Sequence, residues 1–311
     1  MLFILPLIVA AITFLSTLLS AHAIRSIQAK GIIDITFVNR LDGFWSSLVC
    51  FAIVAGIIYI IFGINEKFKL LHQTTTLPSS IYVLLTSGII VNMGFGCLLV
   101  SVFLIAMAME RLQTAIIDTK NNNSMFDFGV LITLAVAIYP KLVILTAWTL
   151  CMPFFSGRST LKDIVALLTG LITPILFLLF YYFWTDRLPM LPVIFTQNLL
   201  SGEYFHRFTA IDTVCLGVIL LLLLISLFHL SLRYSTLTVK HRRGIFAVVS
   251  LLVFLSVTPF VIPGNSNDFM YVLAFPLSFL YAMYFLNNRL KIMGNLMFAL
   301  LLAFCFLTCI I

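Results

Sequence analysis

The sequence predicts an all-α membrane protein that crosses the bilayer about eleven times, counting one crossing for each apolar run. Two observations support this fold class. Of the 311 residues, 62% are hydrophobic and 9% are charged, whereas soluble domains carry roughly 25% charged residues. The apolar runs are continuous rather than alternating, which is typical of spanning helices and excludes a membrane β-barrel.

Helices are predicted where the apolar runs lie. In chain order they cover residues 3–23, 44–63, 79–92, 95–109, 127–139, 142–156, 164–184, 211–230, 245–262, 269–286 and 292–311. The longest polar segments between them, 24–43 and 185–210, are too short for a soluble domain. Residues 1–311 are therefore predicted to form a single transmembrane domain.

The first apolar run allows two interpretations. Ala21-His22-Ala23 resembles the cleavage site of a signal peptide. The run has no basic start, however, and its apolar part is long for a signal peptide, which favours a retained first helix.

Two longer apolar runs, 79–109 and 127–156, are ambiguous. Each would be about 45 Å long as one helix, whereas the hydrocarbon core is about 30 Å thick. Each run is therefore one steeply tilted helix or a hairpin of two short helices. Asn92-Met93-Gly94 interrupts the first run and Tyr139-Pro140-Lys141 the second. This similarity indicates a degenerate internal repeat of helix pairs.

The distribution of basic residues favours the hairpins, because loops on the cytoplasmic side carry an excess of Lys and Arg. With two hairpins and a cytoplasmic N-terminus, twelve of the 18 basic residues lie in cytoplasmic loops and six lie outside. With two long helices the split falls to about ten and eight. The hairpin arrangement predicts a periplasmic C-terminus.

Several functional classes lack support in the sequence. The five histidines and six cysteines show no metal-type spacing, and we predict neither a metal nor a cofactor. The sequence contains no phosphate-binding glycine loop and no Gly-x-Ser-x-Gly nucleophile motif. The net charge of +7 is spread over short loops, so no nucleic-acid partner is expected. Acidic residues fall in loops or at predicted helix ends, which disfavours a proton-coupled carrier.

The predicted outer side collects a set of charged residues with a possible chemistry. Asp34, Arg40 and Asp42 lie in the first outer loop, Lys141 at the hairpin tip and Arg187 in the largest outer loop. Asp34 or Asp42 would serve as the catalytic base on an acceptor hydroxyl. The Lys and Arg side chains would bind a lipid phosphate. The alternatives are ordinary loop charges and, for Lys141, a side chain that extends to the lipid headgroups.

Two patterns, FD-G-LI-LA--YP and L-G---P--LF--YFWTD, lie within residues 60–190. They resemble an uncharacterised family of multi-pass inner-membrane proteins from Bacteroidota. The resemblance implies a multi-pass protein of the bacterial inner membrane and carries no established activity.

A second stretch, FGVLITLAVAIYPKLVILTAWTLCMPFFSGR, resembles a recurring part of C-type glycosyltransferases that use polyprenyl-phosphate sugars. In those enzymes a helix rich in small residues reaches a Lys-Pro-like tip, here Pro140-Lys141, and the next helix has a basic end, here Arg158. The resemblance implies a catalytic acid in the first outer loop, a role that Asp34 or Asp42 would take. The chain has neither an Asp-x-Asp motif nor a large outer domain.

Three functions remain open from the sequence, and whether the protein is an enzyme stays undecided. The first is a membrane subunit or scaffold in cell-envelope biogenesis, with other membrane proteins as partners. The second is a glycosyltransferase-like enzyme that takes a polyprenyl-phosphate-linked sugar at the outer leaflet. The third is a transporter. All three share the lipid bilayer as a partner.

Overall fold

The computed structural model describes residues 32–33, 43–71, 75–93, 96–118, 123–157, 159–200, 210–234, 237–263, 269–287 and 298–299. Ten α-helices and one short 3-10 turn make up most of these ranges, which contain no β-strand. The helices are α1 Gly43–Phe68, α2 Leu77–Met93, α3 Cys97–Ile117, α4 Asn123–Ile138, α5 Ile144–Ser156, α6 Leu161–Trp184, α7 Met190–Leu200, α8 Ala210–Arg233, α9 Val239–Val261 and α10 Met270–Asn287. The 3-10 turn is Pro140–Leu142.

Nine of the predicted helices coincide with described helices, so the all-helical fold class is confirmed. Predicted helix 3–23 and most of 292–311 lie outside the described residues. The largest boundary differences are at two helices: α3 continues to Ile117 instead of residue 109, and α9 begins at Val239 instead of residue 245. Polar residues extend these helices because backbone hydrogen bonding continues beyond the apolar run. The helix Met190–Leu200 lies where a loop was expected.

Four described helices are long and apolar enough to cross a membrane, and they identify a membrane protein. These spans are Leu48–Phe68, Cys97–Ile117, Leu161–Trp184 and Val239–Val261. The other described helices are also apolar, but their described apolar segments are only 10–17 residues long.

The first ambiguous run is divided into two helices, because α2 ends at Met93 and α3 begins at Cys97. The contacts of α3 with α1 show their relative direction. Gly56 faces the Phe103 ring, and Lys67 pairs with Glu110 nearer the end of both helices. Helices α1 and α3 therefore run parallel, so the chain between them returns across the bundle. A single long helix over 79–109 is excluded.

The second ambiguous run is a hairpin, which confirms that prediction. Helix α4 leads into the 3-10 turn and α5 leads away from it. Phe128 of α4 and Trp148 of α5 pack edge to face with their ring centroids 5.5 Å apart. We call α4, the turn Pro140–Leu142 and α5 the tip hairpin.

Helices α4 and α6 cross at unusually close range because two glycines face the contact. A Cβ atom on Gly129 would lie 2.8 Å from the Leu167 carbonyl oxygen, and one on Gly170 would lie 2.3 Å from the Phe126 carbonyl oxygen. The hydroxyl group of Thr133 also donates to the Leu171 carbonyl at 3.2 Å. Small residues at a crossing let two backbones approach, which is a common packing mode within membranes.

This crossing predicts the effect of one added methyl group. Gly170→Ala places its Cβ against backbone rather than a flexible side chain, so α4 and α6 must separate. We expect a loss of about 1–3 kcal/mol of stability, measured by thermal unfolding in detergent. Gly63→Ala is the matched control because nothing lies within 4 Å of the added carbon. Equal melting temperatures for the two variants would contradict the close crossing.

Candidate functional site at the tip of the hairpin

One end of the bundle gathers most of the described basic residues, and we call it the basic end. Two ion pairs connect the helices there. Lys67 of α1 pairs with Glu110 of α3, and Nη1 of Arg111 lies 3.6 Å from Oδ2 of Asp127 in α4. The described Lys and Arg residues on elements that meet at this end are Lys67, Lys69, Arg111, Lys162, Arg233, Lys240, Arg242 and Arg243.

Helix α9 joins the basic end through two polar contacts. The Gln113 side chain donates from Nε2 to the Gly244 carbonyl at 3.0 Å. The His241 ring nitrogen Nε2 lies 3.1 Å from the Lys69 carbonyl oxygen. The start of α9 therefore lies beside the ends of α1 and α3, so the basic loops share one side of the protein.

The opposite end carries the tip of the hairpin, which the local sequence dictates. Tyr139 precedes proline and has an extended ψ of 89°, because a following proline disfavours the helical conformation. Pro140 has no amide hydrogen to continue α4, and it opens the 3-10 turn at a favoured position. Backbone bonds of 3.0 Å from Leu142 to the Tyr139 carbonyl and from Val143 to the Pro140 carbonyl close the turn.

Lys141 occupies the middle of this turn and is only 5% exposed. The turn packs against α7 and α9 in addition to its own two arms. Burial of an ammonium group is costly in a low-dielectric interior unless polar or charged groups surround it. A charged residue in this setting is a functional-site candidate in a membrane protein.

The two arms of the hairpin are short, which sets the depth of Lys141. Helix α4 has 16 residues and α5 has 13 residues, so they extend about 24 Å and 20 Å from the basic end. A hydrocarbon core of about 30 Å is longer than either arm. In a membrane whose near surface lies at the start of α4 and the end of α5, the turn would therefore lie below the far surface, inside the protein.

A short segment distant in sequence docks on the same hairpin, and we call Ile32–Ile33 the docked segment. The amides of Ile32 and Ile33 donate to the Ala137 carbonyl at 3.0 Å and 3.4 Å. The Tyr182 hydroxyl group donates to the Ile32 carbonyl at 3.0 Å. Three separate parts of the chain therefore meet one helical turn before Lys141.

The predicted site residues fall into two groups. Lys141 is buried at the tip, and Arg187 lies at the same end with an exposed side chain. The Arg187 amide donates to the Tyr182 carbonyl at 2.9 Å, which fixes this turn beside α6. Asp34, Arg40 and Asp42 lie outside the described residues, so their assembly with Lys141 stays a prediction.

Sequence reasoning missed Tyr182 and the contact between the turn and α7. Tyr182 stands in the aromatic run Phe180–Trp184, which has the composition of an interfacial belt. The signal that could have found Tyr182 was the hydroxyl group of a tyrosine within an otherwise apolar aromatic run. Such a group needs a hydrogen-bond partner when it is buried.

The described residues contain no group of three or more His, Cys, Asp or Glu side chains placed to bind a metal ion. Comparison with protein-family models, curated proteins and solved structures finds no match for the chain.

The side chain of Ser250 connects α9 to the α5 arm in the core. The buried Trp148 indole donates from Nε1 to the Ser250 hydroxyl oxygen at 2.9 Å. The Ser250 hydroxyl oxygen lies 3.0 Å from the Ala247 carbonyl oxygen and 3.6 Å from the Met152 sulfur of α5, both of which can accept its hydrogen. Removal of the serine oxygen leaves the indole N–H buried without this acceptor.

We therefore expect Ser250→Ala to lower stability by about 1–3 kcal/mol, the cost of an unsatisfied buried donor. Ser256→Ala on the same helix is the matched control, because that hydroxyl bonds only the Leu252 carbonyl of its own helix among the described contacts. Thermal unfolding in detergent compares the two. A Ser250→Ala protein as stable as the control would contradict the proposed anchoring of α5.

Proposed function

We propose that the chain is a multi-pass protein of the bacterial inner membrane, with the basic end in the cytoplasm and the tip on the periplasmic side. The N-terminus is then cytoplasmic, the C-terminus periplasmic, and the number of crossings about eleven. Support comes from the charge distribution over the described residues. Eight basic residues belong to the basic end, whereas Lys141 and Arg187 are those described at the tip end.

Cysteine labelling tests this orientation. In a background from which the six native cysteines are removed, we expect Arg187→Cys to react with a membrane-impermeant maleimide in intact spheroplasts. Lys240→Cys should react only after the membrane is permeabilised, because it belongs to the basic end. The reverse pattern would invert the proposed topology, and labelling of both variants in intact spheroplasts would contradict a sealed separation of the two ends.

We further propose that the tip end binds the phosphate of a polyprenyl-phosphate lipid at the outer leaflet, in cell-envelope assembly. The observation that carries this proposal is the burial of Lys141 at the hairpin tip. A lysine that only extends to the headgroups would expose its ammonium group. A buried ammonium has three donors and a full charge, which suits a phosphate oxygen where water does not compete.

The proposed chemistry is glycosyl transfer. Asp34 or Asp42 would accept the proton of an acceptor hydroxyl as its oxygen bonds the anomeric carbon. The bond from that carbon to the phosphate oxygen breaks, and the polyprenyl phosphate leaves. Lys141, with Arg40 and Arg187, would stabilise the charge on the departing phosphate. The docking of Ile32–Ile33 on α4 supports this scheme, because Asp34 is the next residue in the sequence.

The test is lipid and glycan profiling of a deletion strain. The strain is compared with the same strain complemented by the parent gene, by the Lys141→Met variant or by the Lys162→Met variant. Methionine keeps an unbranched side chain that is one atom shorter, and it removes the charge. We expect Lys141→Met to behave like the deletion, with accumulated polyprenyl-phosphate sugar and a missing envelope glycan. Lys162→Met, at the basic end, should behave like the parent. Unchanged lipids and glycans in the deletion strain itself would overturn the proposal.

A membrane subunit or scaffold is the second candidate, and the exposure of α6 favours it. Only 17% of the most apolar window of α6 is buried within the chain. Large side chains such as Leu161, Phe177 and Trp184 are exposed along its whole length. Such a face fits lipid or the helices of a partner protein. Normal lipids in the deletion strain, together with co-purification of one membrane protein, would support this candidate.

A further inference from the structure

Tyr182 differs sharply from its neighbours on α6. It is 8% exposed, whereas the adjacent Tyr181 is 61% exposed. Both residues belong to the last turns of a helix whose outer surface is otherwise apolar and open. The side chain of Tyr182 alone among the aromatic residues 180–184 turns into the protein.

The hydroxyl group of Tyr182 forms the outer link of a short chain of hydrogen bonds. It donates to the Ile32 carbonyl at 3.0 Å, and the Ile32 and Ile33 amides donate to the Ala137 carbonyl. The docked segment therefore bridges the end of α6 and the end of α4. Ala137 lies four residues before Lys141, so this bridge is next to the tip turn.

The acceptor on α4 is available for a physical reason. The last four carbonyl groups of a helix have no amide partner in the helix itself. Ala137 is in the last turn of α4. Its carbonyl is satisfied by the docked segment, which in turn presents the Ile32 carbonyl to Tyr182.

We propose that Tyr182 is a positioning residue for the Lys141 site. Its hydroxyl group holds the docked segment, which lies within the first outer loop, against the tip hairpin and so fixes the position from which the chain continues to Asp34. This inference rests on the proposed lipid-phosphate function. Tyr182 touches no substrate in this scheme: it sets the position of the segment from which the loop approaches a phosphate bound at Lys141.

Disulfide trapping tests the positioning itself, independently of activity. In a background without native cysteines, Ile33→Cys and Ala137→Cys are paired and oxidised, because the backbone bond places these residues side by side. We expect rapid trapping in the parent and a rate several-fold lower with Tyr182→Phe. Tyr181→Phe, the exposed neighbour, should trap at the parental rate. Equal rates for Tyr182→Phe and the parent would overturn the inference, as would failure of the parent to trap.

A second experiment distinguishes failure of the positioning role of Tyr182 from failure of the proposed lipid-phosphate function. It measures binding to phosphatidylcholine vesicles with and without polyprenyl monophosphate. We expect Lys141→Met to lose the phosphate-dependent binding and Tyr182→Phe to weaken it several-fold, with Tyr181→Phe unchanged. If Lys141→Met binds like the parent, the proposed function fails whatever the trapping shows. If Lys141→Met loses binding and Tyr182→Phe retains it despite slower trapping, Tyr182 is structural only and the positioning role is overturned.

Discussion

The tip end depends on one constraint: where Pro140 interrupts a helix inside a membrane protein, the freed backbone groups need partners within the protein. The described contacts supply them. The Ala135 carbonyl accepts from the Tyr139 amide and from the Ser101 hydroxyl. The Ala137 carbonyl accepts from the docked segment, and the Tyr139 and Pro140 carbonyls accept the two bonds that close the 3-10 turn. The break that creates the turn therefore also recruits the docked segment and, through it, α6, while the Ser101 hydroxyl adds a contact from α3 one turn earlier.

The close crossing of α4 and α6 places Tyr182 at the level of the tip. From the crossing at Phe126 to Ala137 the chain advances eleven residues, about 16 Å. From Gly170 to Tyr182 it advances twelve residues, about 18 Å. The contact at Thr133 and Leu171 shows that both helices leave the crossing in the same direction. The two glycines near the basic end therefore set the register in which a tyrosine hydroxyl meets the docked segment at the other end.

The helices and the division of both long apolar runs could be predicted from the sequence, because the length of an apolar run and the position of a helix breaker are local signals. Pro140 and the basic loops were sufficient to predict the tip hairpin. Other features were not local. Helix Met190–Leu200 falls between polar segments, and its apolar residues are too few to mark a span. The burial of Tyr182 follows from the α4–α6 crossing, and no periodicity in its own segment distinguishes it from Tyr181. Lys141 was predicted as a site, but its burial required the packing of α7 and α9.

The depth of Lys141 sharpens the choice between a headgroup anchor and a binding site. The α4 arm ends about 6 Å short of a core about 30 Å thick, a gap that an extended lysine can span. Geometry alone therefore permits the ammonium group to reach the surface, yet the side chain stays 5% exposed. The turn follows the C-terminal end of α4, where the helix dipole favours a cation. That dipole therefore favours a positive charge at the position of the turn. A cation at this position has the chemistry that the proposed binding of a lipid phosphate requires.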